Sequence, residues 1–435
     1  MTPVARLSAA IEVLTDIEDR RRPAFDALKD WGLSHRFAGS GDRVAIGNLV
    51  FDALRRRSSL AFALGTDSAR ALALGTYRFL WNTPLEAIEA GISTDRHAPE
   101  PLTERERTRL ADLHLEGAPE WVQADVPEWL MDDLERTFGA RLVEEGRALA
   151  VRAPVDLRVN TLKATRDKVL GQLSAFHPVA TALSPAGIRL PAGEGPAKPP
   201  HVQSEPGYQK GLFEIQDEGS QLAALIAGAH GGDQVLDLCA GAGGKTLAIA
   251  AEMRNRGQIF AYDADKRRFG DIRERLDRAG VRNVQIRMPR KGEDALSDLE
   301  GRMNLVLVDA PCTGSGTWRR RPDAKWRMAP GALDLRRKEQ DAVLDHGQGF
   351  VRAGGRLVYI TCSVLPQENE DRIAAFLERT PGFRLSDPRD SWLSGIGTPL
   401  PEAFAVRVGK HGEAIRLTPA TAGTDGFFVA ILERT

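Results

Sequence analysis

Three cysteines stand at positions suited to thiol chemistry, because each follows a hydrophobic run that gives way to a loop. They are Cys239 in VLDLCAGAGGKT, Cys312 in VDAPCTGSGTWRRRPD and Cys362 in YITCSV. A thiolate is a strong nucleophile, and a thiol can also take part in proton transfer. The three are too far apart in sequence for a disulfide framework, and neither they nor the eight histidines show the spacing of a zinc site. We therefore expect a reducing compartment and no metal.

Two of these thiols are expected to converge. Cys312 and Cys362 follow the fourth and fifth strands of a predicted parallel sheet, which places both at the same edge. Such a pair suits methylation of cytosine at C5. Addition of one thiolate to C6 converts the ring into an enamine that attacks a sulfonium methyl group, and Asp309 could donate to the ring near N3. The second thiol could then help to expel the first. The alternative is that each cysteine merely caps a strand in the core.

The glycine-rich segment in VLDLCAGAGGKT predicts a ligand-binding loop between a buried strand and a helix. A P-loop would need glycine at Cys239, and a dinucleotide fingerprint would need glycine at Thr246, so both patterns fail. Three acids, Asp237, Asp263 and Asp309, lie at the ends of hydrophobic strands. An acid after the second strand is where such folds hold a ribose, so Asp263 favours S-adenosylmethionine as the ligand. Asp237 could instead only stabilise the loop.

The elements that would position these groups follow from hydrophobic periodicity. Residues 3–90 show apolar side chains at helical spacing, and a further helical segment follows at VPEWLMDDLERTFG. Around PVDLRVNTLKA the pattern becomes that of a strand and a polar turn. From residue 213 onward, strand and helix patterns alternate, which predicts a doubly wound, mostly parallel sheet. We expect three domains, at 1–145, 146–205 and 206–435.

Composition bounds the remaining properties. The 435 residues are 42% hydrophobic and 27% charged, and no apolar run is long enough to span a membrane. Acids near the N-terminus argue against a signal peptide, so we expect a cytoplasmic protein, and a monomer. The net charge of −1 indicates no overall preference for nucleic acid. The basic run at 319–327, flanked by Trp318 and Trp326, fits either phosphate contact with base stacking or a solvated loop.

The chain resembles the RsmB-type branch of the Sun family of RNA cytosine-5 methyltransferases over nearly its full length. The matching stretches are LRVNTLK, FEIQDEGSQLAA, CAGAGGKT, AYDAD, LVDAPCTGSGTWRRRPDAKW, LVYITCSVLPQENED and DGFFVAIL. The resemblance implies an α/β Rossmann-like AdoMet-dependent methyltransferase domain at 206–435. It also implies that an all-α NusB-like RNA-binding domain and a small α+β RNA-recognition insert precede this domain. The implied partner is RNA, specifically small-subunit ribosomal RNA.

The resemblance also implies roles for individual residues. Cys362 would be the nucleophile, Cys312 would assist product release, and Asp309 would touch both the cytosine and the cofactor region, with Lys245 close to it. Asp263 would hold the ribose of S-adenosylmethionine. The methionine part would be wrapped by the loop residues Cys239, Ala240, Gly241, Ala242, Gly243, Gly244 and Lys245.

The sequence departs from the family in two places. The family loop usually reads CAAPGGKT, whereas Gly241 and Ala242 stand here, which makes the loop more flexible. The family has an acid after the third strand that contacts adenine, and Arg290 stands at that position here. Glu293 or Asp294 could take over the contact. A DNA cytosine-5 methyltransferase, in which Cys312 would attack, lacks support because no ENV-like motif follows that cysteine. A transfer RNA methyltransferase and a noncatalytic RNA-binding scaffold with a decayed catalytic fold are the remaining alternatives.

Overall fold

The computed structural model describes residues 1–289 and 294–435, which form two compact units. The first unit comprises residues 1–153, 192–200 and 317–328, and the second comprises residues 154–191, 201–316 and 329–435. The expected division into three domains stays a prediction.

The helices of both units, numbered in chain order, are α1 (Pro3–Arg20), α2 (Ala24–Ser34), α3 (Ser40–Arg55), α4 (Arg57–Leu64), α5 (Ala69–Gly75), α6 (Leu85–Thr94), α7 (Glu104–Ala111), α8 (Glu120–Gln123), α9 (Met131–Phe138), α10 (Leu142–Leu149), α11 (Arg166–Gln172), α12 (Pro206–Gln209), α13 (Glu218–Ile226), α14 (Gly244–Glu252), α15 (Ile272–Ala279), α16 (Pro322–Arg327), α17 (Pro330–Gln348), α18 (Glu370–Arg379), α19 (Pro388–Ile396) and α20 (Pro419–Ala422).

The strands are β1 (Val155–Val159), β2 (Val179–Ala180), β3 (Gly187–Leu190), β4 (Phe213–Ile215), β5 (Gln234–Asp237), β6 (Gln258–Tyr262), β7 (Val284–Arg287), β8 (Met303–Asp309), β9 (Val351–Thr361), β10 (Phe383–Leu385), β11 (Ala405–Arg407), β12 (Glu413–Leu417) and β13 (Phe427–Arg434).

The first unit is helical, as its periodicity predicts. Helix α1 begins after Thr2, whose hydroxyl accepts a hydrogen bond from the Ala5 N–H, and it carries proline at its first position. Leu7 and Leu14, one heptad apart on the same face, are fully buried in the core of this unit. In the described part of the chain, no helix combines the length and the apolar composition that a membrane crossing needs.

The basic run that could have formed an RNA surface is largely interior to this first unit. The side chains of Trp318, Arg319 and Lys325 are 1%, 3% and 1% exposed. The Lys325 ammonium donates to the backbone carbonyls of Arg55 and Asp125, and the Arg55 guanidinium donates to the Arg319 carbonyl. The expectation of a phosphate-contacting surface is therefore wrong for Arg319 and Lys325, because both are buried and the Lys325 ammonium donates to backbone carbonyls instead.

The second unit contains a small antiparallel sheet with strand order β2-β3-β1-β4. Strand β1 falls in the predicted PVDLRV segment. Its Leu157 and Val159 pack with Ile188 and Phe213 in a separate apolar cluster, against which α11 places Val169. This arrangement confirms the expected small α+β element.

The large sheet of the second unit has strand order β11-β12-β13-β9-β8-β5-β6-β7, and β10 pairs with β13. Strands β5 to β9 are parallel, and the order reverses between β5 and β8. The prediction of a Rossmann-like domain is thus confirmed. The prediction of a mostly parallel sheet is too simple, because β10 to β13 pair antiparallel and β10, β11 and β12 were not foreseen.

Helices cover both faces of this sheet, so its central strands are apolar throughout rather than alternating. In β8 the run Leu305, Val306, Leu307 and Val308 is fully buried, with alternate side chains in two separate clusters. The carboxyl ends of the parallel strands lie along one edge of the sheet. The first polar side chains after these buried strands therefore lie at that edge. Asp237, Asp263, Asp309 and Cys362 all lie at or just after such strand ends.

Candidate active site

The site lies in the second unit, at the carboxyl edge of β5, β6, β8 and β9. This edge includes the point where the strand order reverses, which is where open α/β sheets bind ligands. The ends of β8 and β9 are joined by a hydrogen bond from the Ala310 N–H to the Ile360 carbonyl, 2.9 Å long. The segments that carry Cys312 and Cys362 therefore leave the sheet side by side.

The glycine-rich loop joins β5 to α14 through a left-handed turn. Gly243 caps the helix with a φ of 82°, and a Cβ at this position would lie 2.8 Å from Cγ1 of Ile272. Gly241 also has a positive φ, of 50°, but open space surrounds the position of its Cβ. Glycine at 243 is required both by the backbone conformation and by packing. The loop then presents the first amides of α14, which have no acceptor within the helix.

The loop is braced by residues that the sequence did not single out. Arg275 of α15 donates to the Ala242 carbonyl over 2.6 Å and pairs with Glu214 of β4 at 3.0 Å. Arg278 pairs with the other oxygen of Glu214, at 2.7 Å. A strand of the small sheet thus supports the glycine-rich loop through α15. The charged pattern of α15 alone gave no signal for this function.

Asp237, at the end of β5, is 1% exposed and accepts a hydrogen bond from the Thr246 hydroxyl over 2.6 Å. Burial raises the pKa of Asp237 to about 7. Burial, followed by the neighbouring carboxylates, raises the pKa of the Cys239 thiol. A thiol in this state is a poor nucleophile. The contact with Thr246 fits a loop-stabilising function for Asp237.

Asp263, just beyond β6, faces the same loop. Its carboxylate accepts from the Gly241 and Asp265 N–H groups, both at 3.0 Å, and Arg268 lies 3.3 Å from it. The side chain is 3% exposed. The acid is therefore held rigidly at the end of the second parallel strand. It still has lone pairs for further donors, because a carboxylate accepts about four hydrogen bonds.

Lys245 and Asp309 meet across the edge of the sheet, as expected. The distance from Lys245 Nζ to Asp309 Oδ2 is 2.6 Å, and the Lys245 ammonium lies 5.4 Å from the centre of the Phe427 ring. The lysine side chain is 8% exposed and the aspartate 35%. The aspartate thus keeps an accessible oxygen while the lysine fixes the other.

Cys312 and Cys362 also converge, since their Sγ atoms are 3.4 Å apart. Both residues are half-buried. The hydrogen bond with Cys362 and then burial raise the pKa of Cys312 well above its ordinary value. Two sulfurs at hydrogen-bond distance cannot both ionise readily, and the raised pKa favours the protonated form of Cys312.

Arg290 and Glu293, on which the expectation about adenine rests, lie outside the described residues 1–289 and 294–435. Asp294 is described and exposed, and its carboxylate accepts from the Leu296 N–H.

The remaining positions fit a ligand with a charged amino-acid end and a ribose. A helix N-terminus with free amides can bind the carboxylate of such a ligand, and Asp263 lies where the two ribose hydroxyls would donate to its carboxylate. The Oδ1 atom of Asp237 is buried without a hydrogen-bond partner at the start of the same loop. The residues therefore fit S-adenosylmethionine.

Comparison with known proteins agrees with this geometry. The family model described as 16S rRNA methyltransferase RsmB/F matches residues 224–433. A second model, the ferredoxin-like domain of RsmF/B-like methyltransferases, matches residues 126–194, which include β1, β2 and β3.

Individual relatives extend the similarity. A probable ribosomal RNA small subunit methyltransferase B of Synechocystis sp. is 32% identical over 315 residues, 72% of this chain and 67% of that protein. The ribosomal RNA small subunit methyltransferase B of Klebsiella pneumoniae is 28% identical over 424 residues, 90% of each chain. Among solved structures, a methyltransferase homolog from Pyrococcus horikoshii is 27% identical with a TM-score of 0.58, covering 73% of this chain and 98% of that one.

Proposed function

Because this chain belongs to the 16S rRNA methyltransferase RsmB/F family and uses S-adenosylmethionine, we propose that it methylates C5 of a cytosine in small-subunit ribosomal RNA. The observation that carries this proposal is the 3.4 Å separation of the Cys312 and Cys362 sulfurs beside the Lys245–Asp309 pair. Methylation at a ring carbon needs a nucleophile to activate the ring and a second group to release it. A methyltransferase acting on a ring nitrogen or a ribose hydroxyl would need neither thiol.

In the first step, the Cys362 thiolate adds to C6 of the cytosine. The S–C6 bond forms as the C5–C6 double bond opens, and C5 becomes the carbon that accepts the methyl group supplied by S-adenosylmethionine. Asp309 lies at the end of the neighbouring strand. As the adduct forms, N3 gains a proton that Lys245 can supply through Asp309, and the accessible oxygen of Asp309 then accepts the N3–H hydrogen bond. Cys312 keeps its proton because its pKa is raised, so it donates a hydrogen bond to the attacking thiolate.

In the second step, Cys312 takes part in release. Once Cys362 is bonded to carbon, its sulfur is a weak acceptor, so the hydrogen bond that is the largest cause of the raised Cys312 pKa is lost. Cys312 can then release its proton to solvent water and, as a thiolate, accept the C5 proton of the adduct. The electron pair of that C–H bond restores the C5–C6 double bond as the Cys362 sulfur leaves.

The target base must be unstacked before C6 can reach a thiol. A single-stranded loop or a remodelled helix of RNA is therefore the expected substrate. We assign RNA binding to the helical first unit and to the small sheet that matches the ferredoxin-like family model.

Bisulfite sequencing of total RNA from cells with and without this protein tests the proposal. We expect one cytosine of small-subunit ribosomal RNA to lose its protection from deamination when the protein is absent. Loss of protection in a transfer RNA instead would favour the transfer RNA alternative. A purified chain that binds RNA but gives no heat of S-adenosylmethionine binding in calorimetry would favour a noncatalytic scaffold.

A further inference from the structure

We propose that Glu368 is the positioning residue that fixes the separation of the two sulfurs, by tying the loop after Cys312 to the loop after Cys362. This inference rests on the proposed functions of the two cysteines, and it adds a residue to which neither the sequence motifs nor the strand ends assign a function. Glu368 lies in a 3-10 turn, Pro366–Glu368, between β9 and α18. It is fully buried.

One oxygen of Glu368 holds the Cys312 loop. Oε1 accepts from the Thr313 N–H over 2.8 Å and from the side-chain amide of Gln340 over 3.0 Å. The same Gln340 amide also donates to the Pro311 carbonyl, at 2.9 Å. The residues on both sides of Cys312 are thereby attached to one carboxylate and one helix, α17.

The other oxygen holds both loops at once. Oε2 accepts from the Thr313 hydroxyl over 2.5 Å and from the Ser363 hydroxyl, directly after Cys362. Since the single Ser363 hydrogen goes to Glu368, Ser315 must donate to Ser363 across their 2.9 Å contact. Ser315 in turn accepts from the Val364 N–H at 2.9 Å. Each donor in this series of hydrogen bonds therefore has one defined acceptor.

Glu368 is itself held in place by the residues around the end of β9. The Tyr359 hydroxyl donates to the Glu368 carbonyl over 2.7 Å. The Asn369 amide donates to the Ser363 carbonyl over 2.9 Å, and Asn369 accepts from Thr361 over 2.6 Å. These contacts hold Glu368 in place, so its position does not simply follow that of the two cysteine loops.

A buried carboxylate with four donors is stable only while those donors stay in place, because each lost partner leaves charge unsatisfied away from bulk solvent. The positions of the two sulfurs are restricted in the same way, since Cys312 is adjacent to Thr313 and Cys362 is adjacent to Ser363. Glu368 touches neither sulfur in the hydrogen-bond network, so it acts through the backbone of the two loops. Its negative charge also contributes to the raised pKa of Cys312.

Phenylarsine oxide measures the sulfur separation without any methyl transfer. It condenses with two adjacent thiols, so that two S–As bonds form and the oxide oxygen leaves with both thiol protons as water. Binding to the full-length chain is followed by intact mass spectrometry as a function of reagent concentration. The variants are Glu368→Ala, which removes all four contacts, and Glu368→Gln, which keeps the shape and the Oε1 contacts. The matched control is Glu339→Gln, a partly exposed acid next to Gln340 on α17 that pairs only with Arg336 among its described ion pairs.

We expect the concentration for half-saturation to rise about tenfold or more in Glu368→Ala, to rise less in Glu368→Gln, and to stay unchanged in Glu339→Gln. If Glu368→Ala does not fold, the double variant Glu368→Gln/Thr313→Val takes its place, because it removes the charge and one hydroxyl contact while conserving volume. Equal phenylarsine oxide binding in the parent and in the Glu368 variants would overturn the proposal.

Two further readouts separate a positioning function from a purely structural one. Glu368→Gln should lower kcat for methyl transfer while the KM for S-adenosylmethionine stays unchanged. The pH profile of Cys312 alkylation by iodoacetamide should move to lower pH, since the neighbouring negative charge is gone. An unchanged alkylation profile contradicts the proposal. A parent chain that binds phenylarsine oxide tightly but transfers no methyl group would contradict the proposed function and leave the positioning of the sulfurs intact.

Discussion

Lys245 and Asp309 form a close ion pair, 2.6 Å from Nζ to Oδ2, between the first turn of α14 and the end of β8. The pair joins the glycine-rich loop to the strand that leads to Cys312. In the proposed reaction, S-adenosylmethionine and the cytosine would meet beside this pair.

Asp309→Asn should lower kcat for methyl transfer by about 10²-fold or more. The neutral amide cannot form the ion pair with Lys245, and it cannot hold the cytosine at N3 as the carboxylate does. The measurement is transfer of a tritium-labelled methyl group to RNA, with calorimetry to follow S-adenosylmethionine binding. Asp265→Asn is the control, since this acid lies near the same loop but pairs with the exposed Arg267. A kcat equal to that of the parent would show that Asp309 takes no part in the reaction.

Gly243→Ala should abolish or strongly weaken S-adenosylmethionine binding, because the new methyl group would collide with Ile272 and the backbone is left-handed. Gly241→Ala is the matched variant: it has the same kind of backbone conformation but meets no atom. We expect the dissociation constant measured by calorimetry to rise more in Gly243→Ala than in Gly241→Ala. The reverse order would place the ligand against Gly241 rather than at the start of the helix.

Asp237→Asn should flatten the pH dependence of stability. In the unfolded chain Asp237 loses its proton near pH 4, whereas in the folded chain it keeps it to about pH 7. The folded state thus binds more protons between these values, and the free energy of unfolding falls as the pH rises from 4 to 7. The variant should lack this decrease, which amounts to roughly 4 kcal/mol. Urea denaturation of parent and variant at pH 4 and pH 7 checks it, and parallel pH dependences would contradict it.

Lys325→Met should reduce the stability of the first unit by about 3 kcal/mol, because it leaves two buried carbonyls without their donor. Arg321→Met, an exposed change in the same segment, should have little effect on the melting temperature. RNA affinity of Lys325→Met should fall only to the extent that folding is lost. A variant that melts like the parent yet binds RNA weakly would restore the phosphate-contact hypothesis for Lys325.

Much of the candidate site at the carboxyl edge of the sheet could be predicted, because the positions of its residues follow from the order of the strands. Parallel strands end at one edge, so the positions of Asp237, Asp309 and Cys362 after hydrophobic runs predict their proximity. The meeting of Cys312 and Cys362 required only that β8 and β9 be neighbours, and they are.

The features that could not be predicted from the sequence depend on which residues the tertiary structure buries. Trp318, Arg319 and Lys325 have the composition of an RNA surface, yet they are interior, and no local pattern distinguishes a buried cation from a solvated one. Strands β10 and β11 have three residues each, too short for alternation to be read. Glu368 lies within the recognised TCSVLPQENED stretch, but only its four donors identify it as a link between two loops.

The Cys312→Ala variant should trap the reaction halfway. Attack by Cys362 remains possible, but the group that accepts the C5 proton is gone, so protein and RNA stay bonded through S–C6. Cys239→Ala is the matched control, because it removes the third thiol of the chain but leaves Cys312 in place, so no complex that resists denaturation should accumulate.

The functions of the two sulfurs are tested most directly by a denaturing gel of Cys312→Ala incubated with its RNA and S-adenosylmethionine, followed by mass spectrometry of the retarded band. We expect a covalent complex in which Cys362 carries the modified cytosine, and no such band from Cys362→Ala. A complex that forms in Cys362→Ala and maps to Cys312 would contradict this expectation.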